Sequence, residues 1–323
     1  MTDVATGAVP LAHVLRGGIV ESVHLGHVVV LAPDGEVRLA LGEPDVTVLA
    51  RSSLKPLQAV GMLRHGLQVD DEALALACAS HNAEPEHVAG VRALLAGAGL
   101  TERDLDNTPD WPLDPDAAFA WRAAGHERAP VTQNCSGKHA AMLATCVAAG
   151  WPTAGYRGED HPLQRALRAA VAELTGVAVE RTTIDGCGAP LFSTTLVGLA
   201  RAFARLARAP HDEGHAGTPE ARVAAAMAAH PWLVAGSGRD ATRFMQAVPG
   251  LLAKDGADGV YAAGLPDGGA VALKVLDGSA RPRAAVLAAA LVAAGVDRGA
   301  VGPVGATPVL GHGEPVGSVE PAF

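Results

Sequence analysis

Residues 27–41, HVVVLAPDGEVRLAL, contain two apolar runs on either side of Pro33-Asp34-Gly35. Such runs around a Pro-Asp-Gly sequence are typical of two antiparallel strands joined by a tight turn. Near the other end of the chain, residues 259–264 and 269–276 flank a similar turn at Pro266-Asp267-Gly268-Gly269. We therefore expect strands close to both ends of the chain.

The long stretch between the two hairpins has apolar residues at helical spacing. The pattern predicts helices over residues 51–64, 138–149, 162–174 and 192–207, one that begins at Pro85, and a last long helix after Pro282. Residues 101–132, rich in Pro, Asp and Trp, are expected to be irregular. This order predicts an α+β fold, an α/β sandwich whose antiparallel sheet is formed from N- and C-terminal strands and carries a helical body.

No internal repeat or low-complexity linker divides the sequence. Residues 1–323 are therefore predicted to form one domain. Within it, the polar and glycine-rich residues 209–219 are predicted to be an exposed loop, and residues 312–323 a C-terminal tail.

Charge and composition argue against several classes of partner. The net charge is −9, no basic block is present, and aromatic residues make up 3% of the chain. Nucleic acids and anionic membranes are bound by clustered Lys and Arg, so neither is an expected partner. No signal peptide is apparent, the apolar run 284–296 is too short for a membrane span, and four cysteines are too few for a disulfide scaffold. These features predict a cytoplasmic protein.

Lysine is rare in this chain. Of the 25 cationic side chains 21 are arginine, and the lysines are Lys55, Lys138, Lys254 and Lys274. A lysine amine can lose its proton and act as a base or a ligand, whereas arginine in practice cannot. Three of the four lysines lie in polar segments of an otherwise alanine-rich chain, so each of these segments is a candidate site.

The first polar segment is Arg51-Ser52-Ser53-Leu54-Lys55. Ser52 and Lys55 are three residues apart at a predicted helix start, so they share one face of the helix. A neutral lysine amine there can take the proton of a serine hydroxyl and make it a nucleophile. A Ser-x-x-Lys match is expected about once by chance in a chain of this length, and a capping serine beside an exposed lysine is the ordinary alternative.

The second and third polar segments are Cys78-Ala79-Ser80-His81-Asn82 and Gln133-Asn134-Cys135-Ser136-Gly137-Lys138-His139. The second brings hydroxyl, imidazole and carboxamide groups together, although a polar helix connection would look the same. The third is not a phosphate-binding loop, because glycine is missing five residues before Gly137 and His139 follows the lysine. A cysteine, a lysine and a histidine around one glycine favour catalysis or metal binding over a helix cap.

The fourth polar segment is Asp185-Gly186-Cys187-Gly188-Ala189-Pro190, which is typical of a tight glycine turn. Zinc could be bound by the thiolates of Cys135 and Cys187 with a nitrogen or water ligand. The two cysteines are 52 residues apart and no C-x-x-C pair occurs, so two unpaired thiols remain the alternative. Cys78 and Cys146 lie among apolar neighbours and are predicted to be buried packing residues.

Lys254-Asp255-Gly256 is a smaller fifth segment, just before a predicted strand. With it, a Ser-x-x-Lys, a Ser-x-Asn and a Lys-x-Gly occur in one order along the chain. This set looks like the motifs of serine β-lactamases and penicillin-binding proteins. Its members are Ser52 with Lys55, Ser80 with Asn82, and Lys254 with Gly256.

The four longer segments more closely resemble the rhizobial-type (class 3) L-asparaginases, over nearly the whole chain. The resemblance implies a fold like serine β-lactamases and glutaminases, a homodimer, and hydrolysis of L-asparagine to L-aspartate and ammonia. It also implies two Ser–Lys pairs, Ser52–Lys55 and Ser80–Lys254. One zinc ion per chain would assist substrate binding beside the active site. Its implied ligands are Cys135, Lys138 and Cys187, completed by water.

Amide hydrolysis needs a nucleophile, a base and donors for the oxyanion. We hypothesise that Ser52 attacks the amide carbon and that Lys55 takes its proton, while Ser80 and Lys254 form a relay that keeps Lys55 neutral. Which serine is acylated stays open, because both have a lysine partner. The candidates for binding the amino-acid head group of the substrate are Arg51, His81, Asn134, Asp185 and Gly186.

Other functions fit the same residues. A glutaminase, β-lactamase or D-amino-acid peptidase would use the same serine chemistry. A zinc hydrolase would activate water with the metal instead. A module that binds zinc or an amino acid without catalysis is the third alternative.

Overall fold

Strands lie at both ends of the chain and helices between them in this computed structural model, which describes residues 3–323. The strands are β1 (Val9–Arg16), β2 (Ile19–Leu31), β3 (Val37–Leu41), β4 (Thr47–Leu49), β5 (Thr182–Ile184), β6 (Pro190–Thr195), β7 (Leu252–Asp255), β8 (Val260–Gly264), β9 (Ala270–Val275), β10 (Pro308–Gly311) and β11 (Glu314–Pro321). The helices are α1 (Lys55–Arg64), α2 (Asp71–Ala77), α3 (Pro85–Gly97), α4 (Pro115–Ala123), α5 (Ser136–Ala149), α6 (Pro162–Thr175), α7 (Leu196–Arg208), α8 (Pro219–Ala229), α9 (Pro231–Val234), α10 (Asp240–Ala247), α11 (Arg283–Ala293) and α12 (Arg298–Gly305).

The main sheet is antiparallel and joins the two chain ends in the order β10-β11-β1-β2-β9-β8-β7, with β3 also paired to β2. Both predicted hairpins are part of it. In the first, Val30 lies opposite Leu39, and Gly35 adopts a φ of +87° that favours glycine in the turn. In the second, Ala262 lies opposite Ala272. The predicted α+β fold with a sheet from both chain ends is confirmed.

The centre of the sheet is covered on both faces. All five residues of β8 are buried, and α7 and α11 both pack against the central strands. Central strands buried on both faces read as continuous apolar runs, which is the pattern of residues 260–264. Helices therefore pack on both faces of the sheet, and β7 is the last strand at one edge of that sheet.

The predicted C-terminal tail, residues 312–323, is mostly strand, so this expectation is wrong. Residues of β11 pair with β1, as Ala12 does with Pro321, and with β10. Glycine and proline in this segment give little strand signal. Gly317 instead suits the close approach of β1, because a Cβ there would lie 1.9 Å from the Leu15 carbonyl oxygen.

The predicted helix over residues 192–207 is also corrected at its start. Residues 190–195 form β6, which pairs with β4 and β5 in a separate three-stranded sheet. α7 begins only after Thr195, whose hydroxyl accepts a hydrogen bond from the Gly198 N–H at 3.1 Å. The apolar spacing continues across this boundary, so it is the pairing with β4 that decides it.

Two loop predictions have different outcomes. Residues 101–132, expected to be irregular, contain α4, whose N-cap Asp114 accepts from the Ala117 N–H. Residues 209–219 are mostly exposed, as predicted, and include one short 3-10 turn at Ala209–His211. In the described part of the chain, no helix combines the length and apolar character needed to cross a membrane.

Candidate active site

The first polar segment forms a 3-10 turn, Arg51–Leu54, that runs directly into α1. Lys55 is 1% exposed, whereas Ser52 is partly exposed three residues before it. The ordinary alternative, a capping serine beside an exposed lysine, is therefore wrong: neither serine caps the helix, and Ser53 instead donates its hydroxyl to the Lys254 carbonyl oxygen at 3.0 Å. Arg51 adopts a φ of +51°, a strained conformation that is common at functional sites.

Lys55 reaches from α1 to the second polar segment, which follows the end of α2. Its Nζ donates to the Ser80 Oγ at 2.9 Å and to the Ala79 carbonyl oxygen at 2.5 Å. The same amine also interacts with the Cys135 thiol. A lysine amine can act as a base only when it is neutral and has a lone pair to accept the proton. The buried contact between Lys55 and Ser80 is therefore one that a base could use.

Lys254 lies in β7 and is 0% exposed, and among the hydrogen bonds of the described residues none joins its amine to Ser80, its predicted partner. Its Nζ donates to the carboxylate of Asp255 at 2.6 Å and to the Asp255 carbonyl oxygen at 2.8 Å. Burial lowers the pKa of Lys254 to about 8, and Lys55 and Arg239 add to this, although the Asp255 carboxylate opposes it. The side-chain partner of Lys254 is therefore the Asp255 carboxylate, where the Ser80 hydroxyl was expected.

Gly256 explains how β7 comes so close to the 3-10 turn. A Cβ on this residue would lie 2.7 Å from the Ala50 carbonyl oxygen and 3.1 Å from the Ser53 hydroxyl. Backbone cannot move aside for such a contact, so only glycine fits without displacing the turn. The Lys-x-Gly spacing therefore places Lys254 beside the turn that carries Ser52.

Arg239, which sequence analysis did not select, joins the second polar segment to Asp255. Its guanidinium donates to the Ser80 carbonyl oxygen and to Asn82 Oδ1, both at 3.2 Å, and to Asp255 Oδ2 at 2.8 Å. The only sequence signal for it is a polar, glycine-rich loop that ends in two charges, Gly236-Ser237-Gly238-Arg239-Asp240. Asn82, the last residue of the Ser-x-Asn motif, thereby shares Arg239 with Ser80 and Asp255.

His81 joins the second and third polar segments. Its Nδ1 accepts the Ala83 N–H at 3.0 Å, so its Nε2 carries the proton and donates to the Ser136 hydroxyl at 2.9 Å. Burial, followed by repulsion from other cationic groups, keeps the pKa of His81 well below its ordinary value. Both ring nitrogens are bonded within the protein, and the prediction that His81 contacts substrate stays a prediction.

Arg51 and Asp185, two residues predicted to bind the substrate, form an ion pair in which Arg51 Nη2 lies 2.8 Å from Asp185 Oδ1. Arg51 also contacts Asp258. Asp185 Oδ1 accepts the N–H of the exposed Gly186 at 2.8 Å. Burial disfavours the carboxylate, but Lys138 and Arg51 outweigh it and hold the pKa of Asp185 below its usual value.

The fold brings together the three residues implied as zinc ligands. Lys138 Nζ lies 3.2 Å from Cys187 Sγ, the two buried cysteines share one small cluster, and Cys135 Sγ lies 3.0 Å from the side-chain oxygen of Asn134. A hydrogen bond from Cys187 lowers the pKa of Cys135 despite burial, and the cations Lys55 and Lys138 add to that effect.

Two thiols and an amine are a donor set that suits zinc. Among residues 3–323 no group of three or more His, Cys, Asp or Glu side chains is arranged to hold a metal, so the implied zinc site depends on Lys138 as its third protein ligand. Cys78 and Cys146 are buried and free, as predicted.

A groove of about 1420 Å³ lies elsewhere, between α2, α3, α5 and the α8–α9 connection. Leu76, Trp232 and Glu86 are among its lining residues, and none of the candidate site residues is. The candidate active site lies outside this groove, in the cluster where the five polar segments meet.

Comparison with known proteins gives the family. No curated protein matches the chain. Among solved structures, Mglu in its glutamate form is 15% identical with a TM-score of 0.44, over 83% of this chain and 59% of that chain. A β-lactamase from Mycobacterium bovis is 16% identical with a TM-score of 0.41, over 79% of this chain and 88% of that chain. The chain thus spans about six-tenths of the length of Mglu.

The match by family is far more extensive. The L-asparaginase II family matches residues 12–321, which include every candidate site residue and both ends of the main sheet. The resemblance noted from the four polar segments is confirmed: the chain belongs to the L-asparaginase II family.

Proposed function

We propose that this protein is an amidohydrolase that converts L-asparagine and water to L-aspartate and ammonia through a serine acyl-enzyme. The observation that carries the proposal is the buried Lys55 amine, bonded to Ser80 Oγ at 2.9 Å and three residues from the partly exposed Ser52. Membership of the L-asparaginase II family supports the same reaction class.

The residues suit each step of such a reaction. Ser52 Oγ attacks the side-chain amide carbon while its proton passes to Lys55, which must be neutral to accept it. The C–N bond of the tetrahedral intermediate then breaks, and Lys55 returns that proton to the leaving ammonia. Water attacks the aspartyl ester by the same route and restores the Ser52 hydroxyl. Ser80, held by Lys55, fixes the direction of the amine.

The ion pair between Arg51 and Asp185 supports an amino-acid substrate. An α-carboxylate and an α-ammonium group carry the same two charges, so a zwitterion can bind Arg51 with one end and Asp185 with the other. When substrate binds, the Arg51–Asp185 pair is replaced by two pairs with the substrate, so neither partly buried charge is left unpaired. This arrangement favours a free amino acid over a peptide, in which those charges are lost.

Zinc belongs to this proposal as a supporting ion. Cys135 and Cys187 would bind it as thiolates and Lys138 as a neutral amine, with water as the remaining ligand. The bound cation would supply positive charge that favours an anionic substrate group. Those ligands also fix the segments that carry Asn134 and Asp185. The homodimer and the cytoplasmic location stay predictions.

Ammonia release with L-asparagine, L-glutamine and a chromogenic β-lactam tests the function. We expect turnover of L-asparagine to exceed that of the other two, and we expect Ser52→Ala to abolish it. Ser22→Ala, an exposed strand residue, is the control. A preference for L-glutamine or the β-lactam would show that L-asparagine is not the main substrate. No turnover of any of the three above buffer would refute the proposal.

A further inference from the structure

A continuous chain of polar contacts connects the two predicted serine–lysine pairs. It runs from Lys55 to the Ser80 hydroxyl, from the Ser80 carbonyl oxygen to Arg239, and from Asp255 to Lys254. We propose that Arg239 is a positioning residue with two functions: it orients Ser80 toward Lys55, and it shares Asp255 with Lys254. The first function rests on the proposed amide hydrolysis, whereas the second does not.

Arg239 contacts the backbone of Ser80, whereas Lys55 contacts its side chain. The Ser80 hydroxyl accepts from Lys55, while the Ser80 carbonyl oxygen and Asn82 Oδ1 both accept from Nη1 of Arg239. The planar guanidinium presents several donors in fixed directions, which a lysine amine does not. Ser80 is therefore fixed at its backbone and at its side chain.

The loop that carries Arg239 is tied to the same segment. The Ser80 N–H donates to the Val234 carbonyl oxygen at 3.0 Å, and the Asn82 N–H donates to that of Ala235 at 2.8 Å. Gly236 follows with a φ of +123°, and a Cβ there would lie 2.5 Å from Asn82 Nδ2. This close contact places Arg239 where it can reach both Ser80 and Asp255.

Asp255 is a shared counter-ion. Its carboxylate, 8% exposed, accepts from Lys254 at 2.6 Å and from Arg239 at 2.8 Å, and Arg283 lies 3.8 Å away. Arg239 and Lys254 are like charges beside one carboxylate, so repulsion from Arg239 opposes the attraction that Asp255 exerts on the charged amine of Lys254. Arg239 therefore limits how strongly Asp255 stabilises the charged form of Lys254.

Several other groups surround Lys254 and Asp255. Lys55 faces Lys254 from α1, and Cys78 faces it from the end of α2. Asp240 at the start of α10 and Tyr261 on β8 interact with Asp255, and Tyr261 has a buried hydroxyl without a partner in the described residues. Lys55 also contacts the Ser80 segment, whereas Arg239 contacts both that segment and Asp255.

The shared counter-ion predicts that two substitutions, one at Arg239 and one at Asp255, shift the pKa of Lys254 in opposite directions. Removal of Arg239 leaves Asp255 to Lys254 and Arg283, so the pKa of Lys254 should rise. Removal of the Asp255 charge leaves Lys254 among cations, so the pKa of Lys254 should fall.

The scarcity of lysine makes this measurable without any activity assay. With lysine labelled at Cε, the wild-type chain gives at most four signals, and a single Lys→Arg substitution assigns each of them. We expect the Lys254 signal to titrate near pH 8 in the wild type, higher in Arg239→Gln, and lower in Asp255→Asn. Arg243→Gln, an exposed arginine one helical turn further along, is the matched control and should leave it unchanged.

Arg239→Lys separates the two functions, because lysine keeps the positive charge but lacks the several fixed N–H donors of the guanidinium. We expect its Lys254 titration to stay near the wild-type midpoint, while kcat for L-asparagine falls about 100-fold with a small change in KM. Added guanidinium should restore part of the kcat of Arg239→Ala, and ammonium should not. If the neutral side chain of Arg239→Gln prevents folding, Arg239→Lys still tests the positioning of Ser80.

If the titration midpoint of Lys254 in Arg239→Gln equals that of the wild type, the proposal that Arg239 and Lys254 share Asp255 is wrong. A kcat in folded Arg239→Lys equal to that of the wild type would overturn the positioning of Ser80. If the wild type shows no turnover of L-asparagine while the two midpoints move in opposite directions, the proposed function fails and the shared counter-ion stands.

Discussion

At the scale of single residues, the two serines near Lys55 differ in exposure and in contacts. Ser52 is partly exposed, and Ser80 is 5% exposed and already bonded to Lys55. We expect Ser52→Ala to lower kcat at least about 10⁴-fold, because the nucleophile is lost, and Ser80→Ala to lower it about 10²–10³-fold. Mass spectrometry of a trapped acyl-enzyme, with peptide mapping, checks this. An acyl group on the Ser80 peptide would reverse the two assignments.

Lys254 makes stability depend on pH. Burial lowers its pKa from 10.5 to about 8, so between these values the unfolded chain binds more protons than the folded chain. The free energy of unfolding should therefore gain a contribution that rises from pH 8 to 10.5, up to about 3 kcal/mol. Urea unfolding of the wild type and Lys254→Met across this range isolates it. A difference between the two that stays constant or falls with pH would contradict the buried, weakly basic amine.

At the scale of elements, the closeness of β7 to the 3-10 turn at Arg51–Leu54 depends on Gly256. We expect Gly256→Ala to destabilise the fold by about 1–3 kcal/mol and to lower kcat, because it displaces the turn that carries Ser52. Gly97→Ala is the control, since a Cβ there has nothing within 4 Å, and it should be neutral or slightly stabilising. Equal stability and equal kcat in the two variants would show that the contact relaxes at no cost.

The elements predicted correctly are those with local signals. The turn at Gly35 and the start of α3 at Pro85 depend on glycine and proline within a few residues. β6 and β11 were not predicted, because their strand character comes from pairing with β4 and β1. The candidate site likewise combines features with a local sequence signal and contacts between distant residues. Its polar segments are visible in the sequence, but Arg239 reaches Ser80 across 159 residues, a contact that no local pattern encodes.

At the scale of the whole molecule, Cys135 on the segment before α5 and Cys187 on the turn between β5 and β6 belong to distant parts of the chain. Zinc held by both would bind the folded chain and not the unfolded one, so it should raise the melting temperature with increasing concentration. A chelator should lower that temperature and mainly raise KM for L-asparagine, because the serine chemistry proposed here does not pass through the metal. Differential scanning calorimetry and steady-state kinetics measure the two effects.

The cysteines themselves provide the control for this last prediction. Cys135→Ala and Cys187→Ala should remove the zinc-dependent shift in melting temperature, while Cys146→Ala, on the far part of α5, should keep it. If a chelator abolished kcat completely and Ser52→Ala left kcat unchanged, water activated by the metal would be the nucleophile. If Cys135→Ala kept the full zinc-dependent shift in melting temperature, zinc would bind elsewhere. Cys135 and Cys187 would then be packing residues like Cys78.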